Sequence, residues 1–133
     1  MENIKIRPPK QEDSAFIVTS WASSAKKLLD QSIPSDVHYD YYKPLIIKLL
    51  ESKPKIIIAA SKDDDDHILG YTIVHQDVLQ YMYVKYVVRR QGIAKMMYDL
   101  VGKPKIISHK PVWWHKYLAN DRLVYNPYLF LGA

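Results

Sequence analysis

Between Leu79 and Gly102 the hydrophobic pattern changes its period at a single glycine. Leu79 to Val88 carries Tyr81, Tyr83, Val84, Tyr86, Val87 and Val88, the aromatic and β-branched content of a strand. After Gly92, the residues Ile93, Met96, Met97, Leu100 and Val101 fall at the i, i+3, i+4, i+7, i+8 spacing of an amphipathic helix, and Gly102 is a suitable stop. The basic segment Arg89-Arg90-Gln91-Gly92 therefore sits where a strand gives way to a helix.

The rest of the chain can be read around this unit. Asn3 to Arg7 alternates polar and apolar and reads as a short strand stopped by Pro8-Pro9. Gln11 to Ser14 places acidic residues at the start of a helix that runs through Phe16, Ile17 and Trp21 towards Leu28 and Leu29. A second helix is expected from Asp36 or His38 to Ser52, with Tyr41, Leu45, Ile46, Leu49 and Leu50 as its apolar stripe. Pro44 suits a first turn, which leaves the start of this helix open. Lys55 to Ala60 is nearly continuous in apolar residues, as in a central strand, and Ile68 to His75 follows as its hairpin partner. The Asp63-Asp64-Asp65-Asp66 run falls in the expected turn, where a solvated loop outweighs a metal site. Beyond the central unit come an expected strand at Lys105 to His109, a short helix at Pro111 to Asn120 and a last strand at Arg122 to Phe130. The order β-α-α-β-β-β-α-β-α-β describes one mixed α/β (α+β) domain over residues 1–133.

Composition narrows the function classes. With no cysteine among 133 residues, a disulfide framework, a zinc ribbon and a cysteine nucleophile are excluded. No stretch approaches the roughly 20 apolar residues of a membrane span, and the N-terminus has no leader-like run, so a cytoplasmic protein is expected. A net charge of +5 calls for an anionic partner without choosing one.

The arginine–glycine stretch supplies the parts for holding an anion. First-turn amides of a helix lack internal acceptors and carry partial positive charge. Glycine permits close backbone approach, and arginine adds charge-assisted donors. Together these make a diphosphate cradle. The competing reading is a β-α junction whose basic residues merely face water. Neither G-x-x-x-x-G-K-[ST] nor G-x-G-x-x-G occurs.

Tyr83-Val84, a gap from Lys85 to Val88, and then Arg89-Arg90-Gln91-Gly92-Ile93-Ala94 opening a helix resemble the signature of the GNAT superfamily of acetyl-CoA-dependent N-acyltransferases. The flanking elements extend the resemblance over essentially the whole chain. Arg90 stands where many members have glycine, Ala94 replaces a second glycine, and Tyr86 takes a place where proline is frequent. The resemblance implies a mostly antiparallel twisted sheet of about six strands, with helices on both faces and a fourth strand splayed from the fifth. It implies acetyl-CoA as co-substrate: backbone amides from Arg89 through Gln91, Gly92, Ile93 and Ala94 to Lys95 on the diphosphate, and the backbone of Tyr83 and Val84 on pantetheine.

The same resemblance implies direct transfer of acetyl to a primary amine, with Tyr117 as proton donor to the departing thiolate. The glutamate that many members carry in the fourth strand has no counterpart in Tyr81-Met82-Tyr83. His75, Asp77, His109 or a water chain are the candidates for the base. A non-catalytic CoA-binding or interaction module with the same fold is the alternative. A nucleic-acid-binding domain using Trp113-Trp114-His115 as a stacking platform is disfavoured by the motif spacing. The acceptor, a small molecule, a peptide N-terminus or a protein lysine, stays open, as does the oligomeric state, a homodimer included.

Overall fold

A computed structural model describes residues 3–88, 92–110 and 122–132. Six strands form one sheet in the order β1 to β6: β1 Ile4–Arg7, β2 Lys55–Ser61, β3 Asp64–His75, β4 Val78–Val84, β5 Ile106–Ile107 and β6 Val124–Tyr125. The first four pair antiparallel, whereas β5 joins β4, and β6 joins β5, in parallel. The sheet is thus mixed, because α3 (Ile93–Leu100) carries the chain back between β4 and β5 and so returns the next strand in the same direction.

The chain divides into two compact units, one holding all six strands with α3, the other spanning Lys10–Pro54. In the strand unit, Met82, Val84, Leu79 and Ile107 share a core with Ile93, Ala94, Met97, Tyr98 and Val101. Gly70 permits this packing: a Cβ there would meet the Tyr83 carbonyl oxygen at 2.7 Å and the Met97 methyl at 3.1 Å. Arg7 at the end of β1 is buried and donates from Nε and Nη2 to the Asp65 carbonyl at 3.1 and 3.0 Å. The run of aspartates is therefore built into β3 from Asp64 onward, and the turn is made by Lys62 and Asp63.

The second unit is a pair of helices, α1 Asp13–Leu28 and α2 Ser35–Glu51. Ile17, Val18, Trp21, Ala22 and Ala25 are buried on α1, and His38, Ile46 and Leu49 on α2. The His38 ring Nε2 lies 2.8 Å from the Ala22 carbonyl, so it donates to that oxygen and ties the two helices together. Tyr41, expected in the apolar stripe, is exposed, and its place is taken by His38, whose polar edge has an acceptor. Pro44 lies inside α2, and the helix starts well before it at Ser35.

Three other expectations are corrected. The strand expected to reach Val88 ends at Val84. Tyr86–Val88 forms a 3-10 turn closed by Val88 N–H to the Lys85 carbonyl at 3.0 Å. Tyr86 and Val87 are exposed, so nothing packs against them to reward their strand preference. In α3 the buried stripe is Ile93, Ala94, Met97, Tyr98 and Val101, while Leu100 faces outward. The Tyr98 hydroxyl donates to the Pro104 carbonyl at 2.7 Å, which satisfies the one polar atom of a buried ring. The strands expected at Lys105 to His109 and Arg122 to Phe130 shrink to two residues each, and the chain closes with a 3-10 segment at Pro127–Gly132. The helix expected at Pro111 to Asn120 lies outside the described residues.

Candidate functional site

β4 contains an irregularity that the alternation of its residues does not reveal. Ile73 faces Tyr81 and Val74 faces Leu79, so Gln80 is an extra residue with no opposite number on β3. This is a β-bulge, and it inverts the alternation on either side of it. Leu79 thereby joins Met82 and Val84 in the core shared with α3. The rings of Tyr81 and Tyr83 approach Tyr71, the Tyr71–Tyr83 pair stacked at 5.2 Å between centroids.

At the same point β4 parts from its parallel neighbour. The ladder between β4 and β5 pairs Val78 with Ile106 and Leu79 with Ile107, whereas β4 itself runs on to Val84. Just past the ladder lies a buried polar cluster. Ser108 N–H donates to the Leu79 carbonyl at 3.1 Å. The Ser108 hydroxyl lies 2.9 Å from Gln80 Oε1 and 3.1 Å from the Gln80 carbonyl, and 2.9 Å from His109 Nδ1. The Gln80 amide nitrogen donates to the Leu129 carbonyl at 3.0 Å. Gln80 and Ser108 are each only 1% exposed. His109 packs edge-on against Phe130 and Tyr81. Burial pulls its imidazole down to about 4, against the smaller opposing effect of its hydrogen bond with the Gln80 backbone.

At the other end of β4 the chain enters α3 through Gly92. Its φ of 81° is left-handed backbone that glycine adopts without strain. The helical ladder starts with Met96 N–H to the Gly92 carbonyl at 3.0 Å, so the amides of Ile93, Ala94 and Lys95 belong to the first turn. The Ile93 and Ala94 side chains are buried in the core, leaving their backbone as the part that can face a ligand. Lys95 lies 3.5 Å from Asp99 and sits over the Tyr98 ring. Tyr83 and Val84 lie in the part of β4 that outruns β5, and pair across β3 with Tyr71 and Gly70. Arg89, Arg90, Gln91 and Tyr117 lie outside the described residues.

The three candidate bases are separated. Asp77 forms the β3–β4 turn with Gln76, both at positive φ, and His75 precedes it. Asp77 lines a cleft of about 360 Å³ with Gly102 and Lys105, at the C-terminal end of α3. The seven residues of β4 place this turn about 20 Å from the strand's other end, at roughly 3.3 Å per residue. Only His109 stands where β4 and β5 part. Gln80 and Ser108 were not singled out by the sequence, although a glutamine within an otherwise apolar and aromatic strand is the kind of residue that is buried only with partners. No group of three His, Asp or Glu residues able to hold a metal occurs among the described residues. No helix among them is long and apolar enough to cross a membrane.

No protein-family model and no curated protein sequence matches the chain. Solved structures do. A GCN5-related N-acetyltransferase from Rhodopseudomonas palustris matches at TM-score 0.53 and 15% identity, over 77% of this chain and 66% of that one. A possible acetyltransferase from Clostridium difficile 630 matches at 0.51 and 20% identity, over 74% and 68%. The ribosomal-protein-alanine N-acetyltransferase from Brucella melitensis biovar Abortus 2308 matches at 0.51 and 18% identity, over 92% and 79%. The chain thus spans about two thirds of the length of the first two of these structures. With its bulged fourth strand parting from a parallel fifth and a glycine-led α3, the chain has the fold of the GNAT acetyltransferases.

Proposed function

We propose that the protein is an N-acetyltransferase that transfers acetyl from acetyl-CoA directly to a primary amine. The observation that carries this reading is the parting of β4 from β5 immediately after the Gln80 bulge, with left-handed Gly92 and the first turn of α3 following the same strand. The backbone amides from Arg89 to Lys95 would hold the diphosphate. Pantetheine would lie along Tyr83 and Val84 as an added strand. From Val84 back to Gln80 is about 14 Å at ~3.4 Å per residue, so an arm anchored at Gly92 brings its thioester towards Gln80, Ser108 and His109.

The transfer asks three things of the site: loss of a proton from the amine nitrogen, polarisation of the thioester oxygen, and protonation of the departing thiolate. Tyr117 is proposed for the last. Amine acceptors of all three kinds fit the reading. A peptide N-terminus stands first in the panel, because the Brucella structure is that of a ribosomal-protein-alanine N-acetyltransferase.

Calorimetric titration with acetyl-CoA at physiological salt tests the reading, followed by thiol release with an alanine-started peptide, a lysine peptide and spermidine. Binding and turnover are expected. Absence of binding rejects the reading, and binding without turnover on a widened amine panel leaves the non-catalytic module in its place.

A further inference from the structure

We propose that His109 receives the amine proton, and that the Gln80–Ser108 pair is a positioning device holding its ring as the Nδ1–H tautomer with the lone pair on Nε2. The proposal rests on the acetyltransferase reading for its chemistry, while the tautomer is argued from the Gln80–Ser108–His109 hydrogen bonds.

The direction of those hydrogen bonds is fixed from one end. The Leu129 carbonyl can only accept, so the Gln80 amide must turn its NH2 towards it, at 3.0 Å. Gln80 Oε1 then points at the Ser108 hydroxyl 2.9 Å away, and the Gln80 main-chain carbonyl lies 3.1 Å from the same hydroxyl. Both are acceptors, so the single proton of Ser108 is committed to Gln80. That leaves Ser108 Oγ offering lone pairs to His109 Nδ1 at 2.9 Å. If Nδ1 were also an acceptor, one hydroxyl proton would be asked to serve three acceptors in a pocket where Gln80 and Ser108 are each 1% exposed. Nδ1 therefore carries hydrogen and Nε2 the lone pair. Phe130, at 4.5 Å between ring centroids, and Tyr81, at 6.3 Å, hold the ring edge-on and limit its rotation.

In the proposed step the neutral amine nitrogen attacks the thioester carbonyl carbon. A C–N bond forms, the nitrogen becomes cationic, and its surplus proton passes to His109 Nε2. The C–S bond then breaks, and the electron pair leaves with the CoA sulfur. The thiolate is protonated by the donor proposed above, which is recharged from solvent, to which His109 returns the proton it accepted. Amine and acetyl-CoA become amide and CoA thiol with no net change in protons.

The first measurement needs no substrate: long-range 1H–15N correlation of the 15N-labelled full chain near pH 7.5. His109 is identified among the five histidines by the signals lost in His109→Gln. The expected pattern is pyrrole-like Nδ1 and pyridine-like Nε2, and the reverse pattern overturns the relay. Ser108→Ala should shift the ring towards Nε2–H and lower kcat about tenfold, with acetyl-CoA affinity within twofold of the parent. Ser108→Thr should restore the tautomer. His109→Gln should lower kcat about a hundredfold or more with the same retained affinity. Unchanged turnover in His109→Gln overturns its role as base. Unchanged tautomer and rate in Ser108→Ala overturn the positioning role. Failure of the parent protein to bind acetyl-CoA strikes the acetyltransferase reading, while the parent's tautomer pattern still decides the relay.

Discussion

His109 has a folded-state value near 4, against about 6.5 for a histidine in an unfolded chain. Between those two values the unfolded state holds at equilibrium a proton that the resting folded state does not, so stability rises with pH across that window. The contribution is complete above about pH 6.5 and is lost progressively as pH falls towards 4. Because the ring is only partly buried, about 1–2 kcal/mol is expected between pH 7.5 and 5, read as a drop in urea midpoint that His109→Gln lacks. Tyr98→Phe removes the buried hydroxyl that donates to the Pro104 carbonyl and leaves that acceptor without it. It should cost about 1–2 kcal/mol in denaturant unfolding with no change in CoA affinity. Gly70→Ala meets backbone, since the added methyl lies 2.7 Å from the Tyr83 carbonyl oxygen. A loss of about 1–3 kcal/mol is expected, and a neutral result would show that β4 yields there more easily than its packing implies.

Among the elements, β4 and α3 carry the candidate site between them. The bulge at Gln80 turns the strand so that Leu79, Met82 and Val84 all reach the core, while polar atoms of Gln80 meet Ser108. The left-handed Gly92 then lets α3 begin directly, and a Schellman motif ends it. Lys103 N–H donates to the Tyr98 carbonyl at 3.1 Å and Gly102 N–H to the Asp99 carbonyl at 3.2 Å, with Gly102 at φ 93°. Gly92→Glu is the sharpest perturbation at this scale. It places a carboxylate where the diphosphate is proposed to lie, and costs about 1–2 kcal/mol for a side chain in left-handed backbone. Loss of calorimetric binding to acetyl-CoA with an unchanged far-ultraviolet dichroism spectrum is the expected result. Retained affinity would move the diphosphate away from Gly92.

For the molecule as a whole, a net charge of +5 suits an acidic co-substrate. A ligand that binds only the folded state adds about 2.7 kcal/mol at a hundred times its Kd. Acetyl-CoA at that excess should therefore raise Tm by several degrees, and Gly92→Glu should show no such rise. The same titration in rising salt should weaken binding, since exposed charges are screened over about 10 Å at 0.1 M. Affinity independent of salt would mean that backbone groups alone hold the ligand.

The order of elements from β1 to α3 can be read from local residues, because period, proline and glycine act over a few neighbouring positions. Gly92 before Ile93, Gly102 after Val101 and the apolar run at Lys55 to Ala60 are legible without any tertiary contact. Local rules failed where packing across the sheet decides. Tyr86 and Val87 read as strand but face outward, and Tyr98 lies in the core with its hydroxyl donating to the Pro104 carbonyl, a partner outside the helix's own pattern. The short β5 and β6 rest on pairing with neighbours remote in sequence, which no local pattern announces. The candidate site divides in the same way. Its glycine-led loop is written in consecutive residues, whereas Gln80, Ser108, His109 and Leu129 come together only when β4, β5 and the last turn meet. Hydrogen-bond direction within that buried group is a property of three-dimensional arrangement, because each donor and acceptor acquires its role from the partner it is left with.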